Sequence, residues 1–312
     1  MSLLIEYTLL YASVLILVAL GGCFSEHSGV INLGLEGIMV IGAMGGALTL
    51  KYMAGASTFI IILCTVVISA LCGLIYSLLL AVASISFKAD QTIIGTAMNI
   101  LGTAVATVIV KAINISVNPD DVSSNVQYIQ GKKSLGFEFC GINLNVFVVI
   151  TFVLLIIAIV VLYNTKFGLR LMACGEHPSA ADSVGINVIK MRYFGVMISG
   201  ILGGIGGITY ITAGVSEWKF ENGVAGFGFL ALAVMIFGQW KPLRIALAAL
   251  LFGCFRALSN VYSGFDLLNS LNISSTVYNM MPYVISLIVL ALTSKNSHAP
   301  KAEGIPYEKD LR

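Results

Sequence analysis

Glu36 is a carboxylate inside an apolar stretch, and Asn32 precedes it by four residues, a spacing that a helix stacks on one face. A charge at membrane depth costs roughly 3 kcal/mol on insertion scales and normally turns towards protein or water. Gly29, Gly34 and Gly37 surround the pair and predict a helix that is bent, broken or tightly packed at this point. Two roles are open to such a pair. It could line or gate a polar path, or it could form a buried hydrogen bond that locks two helices together.

A second set of polar residues is periodic. Thr92, Thr96, Asn99, Thr103 and Thr107 recur at spacings of 4, 3, 4 and 4, which is one face at 3.6 residues per turn. Gln91 stands at one end of this stripe, and Ile93, Ile94, Ile100, Leu101 and Val108 occupy the other face. Threonine hydroxyls can satisfy themselves on carbonyls of the preceding turn. Asn99 cannot do so as easily, so the stripe faces either a cavity or another helix.

A third set lies in the polar segment from Lys166 to Arg192. It reads Gly175–Glu176–His177–Pro178–Ser179–Ala180–Ala181–Asp182–Ser183–Val184–Gly185. Pro178 suits a first helical turn and Gly185 suits a stop. A short helix is expected there, with an exposed face on which a soluble partner could dock. His177 is a lone histidine, so no metal role is assigned to it. Gly131–Lys132–Lys133–Ser134 ends like a phosphate-binding loop but lacks the preceding glycine at the proper spacing. HExxH, CxxC and nucleophile-elbow patterns are absent from the sequence. The reading is therefore movement of a solute, without catalysis, cofactor or metal.

The elements that must position these residues follow from composition. Of 312 residues, 58% are hydrophobic and only 10% charged, with mean hydropathy +0.97. A soluble domain would need about a quarter of its residues charged, so lipid must cover most of the outside. A net charge of +2 gives no reason to expect nucleic acid. The six cysteines are scattered and read as small apolar fillers. The first Lys or Arg is Lys51, so the first apolar run is expected to be a resident helix rather than a cleavable signal.

Set against a requirement of ~20 residues per span, the apolar runs predict an all-α polytopic membrane protein with about nine membrane-embedded helices, some broken. They fall near 7–23, 30–50, 58–85, 91–112, 144–163, 193–213, 224–238, 245–263 and 280–293. Lys and Arg cluster in the 164–192 loop, at Lys241 and Arg244, and in the tail, all on one side if four spans separate the first cluster from the last. The positive-inside rule makes that side cytoplasmic. The N-terminus and the 113–143 loop are then outside, and a membrane domain over 1–293 is followed by a cytoplasmic tail over 294–312. Gly200, Gly203, Gly204 and Gly207 form overlapping GxxxG pairs, with another at Gly42 and Gly46, and predict close helix crossings. The stretch 28–44 can be laid on 222–238, matching Gly29, Val30, Gly34 and Val40 to Gly223, Val224, Gly228 and Val234. That match raises the possibility of an inverted repeat.

Two stretches carry a resemblance to a known family. Ser28–Gly29–Val30–Ile31–Asn32–Leu33–Gly34–Leu35–Glu36–Gly37 resembles a signature of permease subunits of ATP-binding-cassette importers, of the branched-chain amino acid, simple-sugar and nucleoside class, in its nucleoside-type branch. The segment Gly175–Glu176–His177–Pro178, with Ala180, Ala181, Asp182 and Gly185, is similar to the family's coupling loop, although Ser179 stands where the general motif has Glu. Gln91–Thr92–Ile93–Ile94–Gly95 with Asn99, and Gly238–Gln239–Trp240–Lys241–Pro242, also resemble stretches of that family. The resemblance implies a subunit without ATPase activity of its own in a prokaryotic inner membrane. A second, homologous or identical permease subunit, two cytoplasmic ATP-binding subunits and an extracytoplasmic solute-binding protein are implied as partners. The solute would be a nucleoside, riboflavin or a simple sugar. The residues alone leave one rival, an ion-gradient-driven secondary transporter, which favours several paired intramembrane ionisable groups. Asn32, Glu36, Thr92, Thr96, Asn99 and Thr103 are the candidate path residues, and Gly175–Asp182 with Gly185 the candidate coupling residues.

Overall fold

A computed structural model describes residues 2–261 except 134, 140 and 214, scattered positions between 277 and 291, and residues 299–308. Eight of the nine apolar runs correspond to helices: α1 Ser2–His27, α2 Leu35–Tyr52, α3 Thr58–Ala81, α4 Gln91–Val117, α6 Val146–Asn164, α9 Val188–Ile211, α10 Phe227–Phe237 and α11 Pro242–Val261. In the run at 280–293, eight of the fourteen positions are described, and each of those is helical. Seven helices among the described residues are long and apolar enough to cross a membrane. The shorter α2 carries Glu36 and Lys51 within its 18 residues.

Helix α3 shows how these sequences fold inside out. Phe59, Leu63, Val67, Leu71, Ile75 and Leu79, each four residues from the next, are exposed. The buried face carries Thr65, Ser69, Gly73 and Ser77. In lipid the apolar stripe is the outside, and small residues allow close helix approach. Helix α9 is the opposite case, buried along most of its length against α1, α2 and α3. Its glycines make this possible within one chain. A Cβ on Gly73 of α3 would stand 2.8 Å from the Gly204 Cα, and one on Gly203 would stand 2.9 Å from Ile38 Cγ2 of α2. A Cβ on Gly207 would run into the Met39 carbonyl. Gly207→Val is therefore expected to remove most folded protein from the membrane, since overpacking costs ~1–3 kcal/mol or more when backbone must move. The check is detergent-resistant yield, with Gly55→Val, which meets nothing within 4 Å, as the neutral comparison.

Three expectations need correction. The 30–50 run is not helical from its start: residues 28–34 form turns and extended chain, Gly29 has φ +90°, and the helix begins at Leu35. Asn32 thus precedes the helix and is not stacked above Glu36. The 224–238 run also begins late, behind a 3-10 turn (Phe220–Asn222) and a bend with positive φ at Gly223, Ala225 and Gly226. Finally, the chain is mostly rather than wholly helical. The 113–143 loop and its neighbours carry two antiparallel ribbons, with β1 Asn125–Gln127 paired to β4 Glu217–Lys219, and β2 Gly136–Phe139 paired to β3 Ile142–Asn145. The short helix α5, Ile129–Lys133, lies between them. In these polar stretches the ladders satisfy backbone groups that no helix pairs.

The chain's polar segments gather at two ends. At one, Lys88 pairs with Glu308 at 2.9 Å, the Arg192 Nη1 donates to the Ile305 carbonyl, and His27 Nε2 lies 3.0 Å from the Trp240 carbonyl. At the other, Lys111 pairs with Glu221 at 2.6 Å, and Glu6 and Lys132 line one small cavity. Lys88, the 164–192 loop, the 239–244 turn and residues 299–308 therefore share an end, opposite the start of α1 and the 113–143 loop.

Candidate functional site

The polar stripe on α4 opens onto a cavity of about 850 Å³. Thr96, Asn99, Thr103 and Thr107 line it from α4, together with Ala104 and with Ile100 and Val108, which are not confined to the opposite face as expected, while Glu221 and Phe229 face them from the segment around α10. Asp90 starts the helix by accepting from the N–H groups of Thr92 and Ile93 at 2.8 and 3.0 Å, an N-cap that satisfies two orphan donors. Thr96 donates to the carbonyls of Thr92 and Ile93, and Thr103 to that of Asn99. These hydroxyls keep acceptor capacity towards the cavity. Thr92 is exposed but outside the cavity wall.

Asn99 has a different attachment. Its Oδ1 accepts from the Gly37 N–H at 2.9 Å, and its Nδ2 donates to the Leu33 carbonyl at 2.8 Å. One amide thus holds both sides of the break before α2. Gly102 makes the crossing possible, because a Cβ there would stand 2.8 Å from the Gly37 Cα. Asn32, fully buried, donates from Nδ2 to Ser199 Oγ at 2.8 Å and accepts from the Gly34 N–H at 3.1 Å. It ties the same break to α9 and does not reach the cavity.

Glu36 also stands behind the wall. Its Oε1 accepts from the Gly226 N–H at 2.8 Å and its Oε2 from the Gly228 N–H at 2.7 Å. A carboxylate there meets the positive end of the α10 dipole and two donors that begin a helix without intrahelical partners. Gly228 is needed for the approach, since a Cβ would lie 2.7 Å from the Glu36 Cα. On the far side of α10, Phe227 packs against Tyr210 and Tyr11 at 4.4 and 5.6 Å between ring centroids, and the Arg256 guanidinium lies 5.6 Å from its ring. The start of α10 is thereby clamped from two sides, which fixes Phe229 at the cavity.

Of the six candidate path residues, the structure brings Thr96, Asn99 and Thr103 onto one wall and sets Asn32, Glu36 and Thr92 off it. Glu221 and Phe229 were not singled out by sequence reading. Glu221 was legible as the last acid before an apolar run. Phe229, one of 16 phenylalanines, carried no signal.

The 164–192 loop folds into α7 Lys166–Glu176 and the short α8 Pro178–Ser183, with Pro178 in the first turn. Gly185 follows at φ +85°, a conformation that L side chains rarely adopt. Gly175 packs on the His27 carbonyl at the end of α1. Glu176, His177, Ser179, Ala180 and Gly185 are exposed, Pro178 and Asp182 are half-buried, and Ala181 is buried in its own chain.

The profile of the family described as "Branched-chain amino acid transport system / permease component" matches residues 4–292. The chain is 38% identical over 322 residues to the guanosine ABC transporter permease protein NupQ of Bacillus subtilis, covering 100% of this chain and 98% of that protein. It is 38% identical over 317 residues to the nucleoside ABC transporter permease protein NupC of Lactococcus lactis, covering 99% and 98%. Among solved structures, an inward-facing ABC transporter assigned to the metal-chelate type matches with TM-score 0.52 at 15% identity, over 94% of this chain and 85% of that one. That likeness concerns the fold alone.

Proposed function

The chain belongs to the branched-chain amino acid transport system / permease component family, and from that premise we propose that it forms half of the path for a nucleoside through an ATP-binding-cassette importer. The transmembrane permease reading rests on the full-length match to two nucleoside permeases. The observation that supports the path is the open α4 cavity, where threonine hydroxyls face an exposed phenylalanine ring. Hydroxyls suit a ribose and an aromatic face suits a base, the mix of apolar surface and few polar groups usual in small-molecule sites. A second permease subunit, homologous or identical, would close the open side of the cavity.

The end carrying Lys88, the 164–192 loop and Lys241 is taken as cytoplasmic from its Lys and Arg, placing the two ATP-binding subunits against α8. A solute-binding protein would then deliver nucleoside to the ribboned end. The N-terminus would lie on that outer side. The two helices broken near Gly29 and Gly223, meeting through Glu36, support an inverted-repeat architecture with its site at the break. Nucleotide binding does the work by favouring one conformation over another.

The test uses tritiated guanosine uptake by the assembled importer in proteoliposomes. Thr103→Leu should lower uptake about five- to tenfold, losing a path hydroxyl worth ~1–1.5 kcal/mol, with assembly unchanged. Asn99→Leu should lower assembly as well, because it releases both sides of the α2 break. Normal guanosine uptake by Thr103→Leu would move the path away from the α4 stripe.

A further inference from the structure

Residues 299–308 cross the end of the molecule that carries α8, and four distant elements meet on this short segment. Ala302 is buried, and its N–H donates to the Gly175 carbonyl at 2.8 Å. The Gly304 N–H donates to the Gly29 carbonyl at 3.3 Å. Arg192 of α9, 1% exposed, donates from Nη1 to the Ile305 carbonyl at 2.9 Å and lies 6.0 Å from the Tyr307 ring. Glu308 pairs with Lys88 in the link between α3 and α4.

The Glu303 carboxyl faces Glu26 at the end of α1, and burial raises the Glu303 pKa. The Trp240 indole N–H donates to Glu26. The α10–α11 turn therefore joins the same cluster.

We propose that residues 299–308 are a coupling strap, in which Gly304, Glu308 and Arg192 are positioning residues that carry motion of the 175–185 loop to the break before α2 and so to the cavity wall. This rests on the reading of α8 as the ATPase contact. The mechanical route is short. Gly304, at φ +76°, sits against Ile31 so closely that a Cβ would stand 2.8 Å from Ile31 Cδ1. The Ile31 N–H donates to Gln91 Oε1 at 2.7 Å, at the foot of α4. Asn32 and Asn99 hold the rest of the break rigid, so a shift at Gly29 or Ile31 moves Glu36, and Glu36 holds the start of α10. The strap is thus a packed, hydrogen-bonded link between docking loop and path, the physical kind of connection that coupling requires.

The experiment compares the assembled importer carrying Gly304→Val, Glu308→Lys, or Glu308→Lys with Lys88→Glu. The first readout is tritiated guanosine moved per ATP hydrolysed. Gly304→Val is expected to lower that ratio about fivefold while hydrolysis continues. Glu308→Lys should lower it less, with recovery in the charge-swapped pair. A merely structural strap would reduce the amount of complex and leave the ratio unchanged, and that result overturns the proposal. The second readout needs no solute. The Thr103→Cys thiol should change its reaction rate with a membrane-impermeant maleimide when ATP is added, and Gly304→Val should abolish the change. A parent complex that responds to ATP but moves no guanosine would refute the nucleoside reading and leave this arm decisive. Retention of the ATP response in Gly304→Val would refute the strap.

Discussion

Replacing Glu36 by leucine is expected to abolish nucleoside uptake, and Glu36→Gln to retain a measurable fraction. The carboxylate accepts from the N–H groups of Gly226 and Gly228, and hydrogen bonds to a charged group contribute ~1.5–3 kcal/mol each. Leucine leaves both donors without an acceptor in an apolar setting, a loss of roughly 3–6 kcal/mol at the start of one helix. Helix α10 would then lose its register against α2, and Phe229 its place on the cavity wall. Glutamine keeps one acceptor oxygen but turns an amide N–H₂ towards a donor. Uptake per assembled complex, with complex measured by co-purification of the ATP-binding subunits, separates this from simple loss of protein. Wild-type uptake by Glu36→Leu would mean that α10 is held by the Phe227–Tyr210 side alone.

Ala180→Trp and Gly185→Val are expected to release the ATP-binding subunits or to disconnect hydrolysis from transport. Ala180 is exposed on α8, and a tryptophan there adds bulk to the proposed docking face at ~1–3 kcal/mol of overpacking, or about 5- to 150-fold weaker association. Gly185 has φ +85°, where a β-branched residue is strained by ~1–2 kcal/mol, so valine should redirect the chain leaving α8. Ala181→Trp is a poorer probe than its sequence position suggested. That residue is 4% exposed and packs within its own chain, so enlarging it disturbs α8 itself. ATPase co-purification and solute-stimulated hydrolysis decide the matter. If Ala180→Trp and Gly185→Val both match wild type, the contact lies elsewhere, with the turn from Gln239 to Arg244 at the same end as the next place to look.

What the sequence by itself determined was the class of molecule and where along the chain its helices lie. Apolar runs of span length are strong signals because lipid leaves no other solvent for them, and eight of them became helices. Pro178 and Gly185 marked α8 because each residue type restricts or frees backbone φ locally. The Thr92–Thr107 stripe was legible because helical period is a local property, and its cavity side followed once the helix was placed. What only the tertiary structure decided was every relation between segments. Asn32 and Glu36 look stacked four residues apart, but the chain breaks at Gly29 and starts α2 at Leu35. The reason is that Asn99 and Ser199, 62 to 167 positions away from their partners, bond the broken backbone and the Asn32 amide. The glycines of α9 announced close crossings without naming partners, since a GxxxG surface fits any helix of suitable shape. Their fit to α2 and α3 emerged only when Gly73, Gly203 and Gly207 met neighbours at backbone distance. Residues 299–308 read as a polar tail, because nothing in a short run of mixed polarity shows that Arg192, Gly29 and Gly175 lie waiting for its carbonyls and N–H groups.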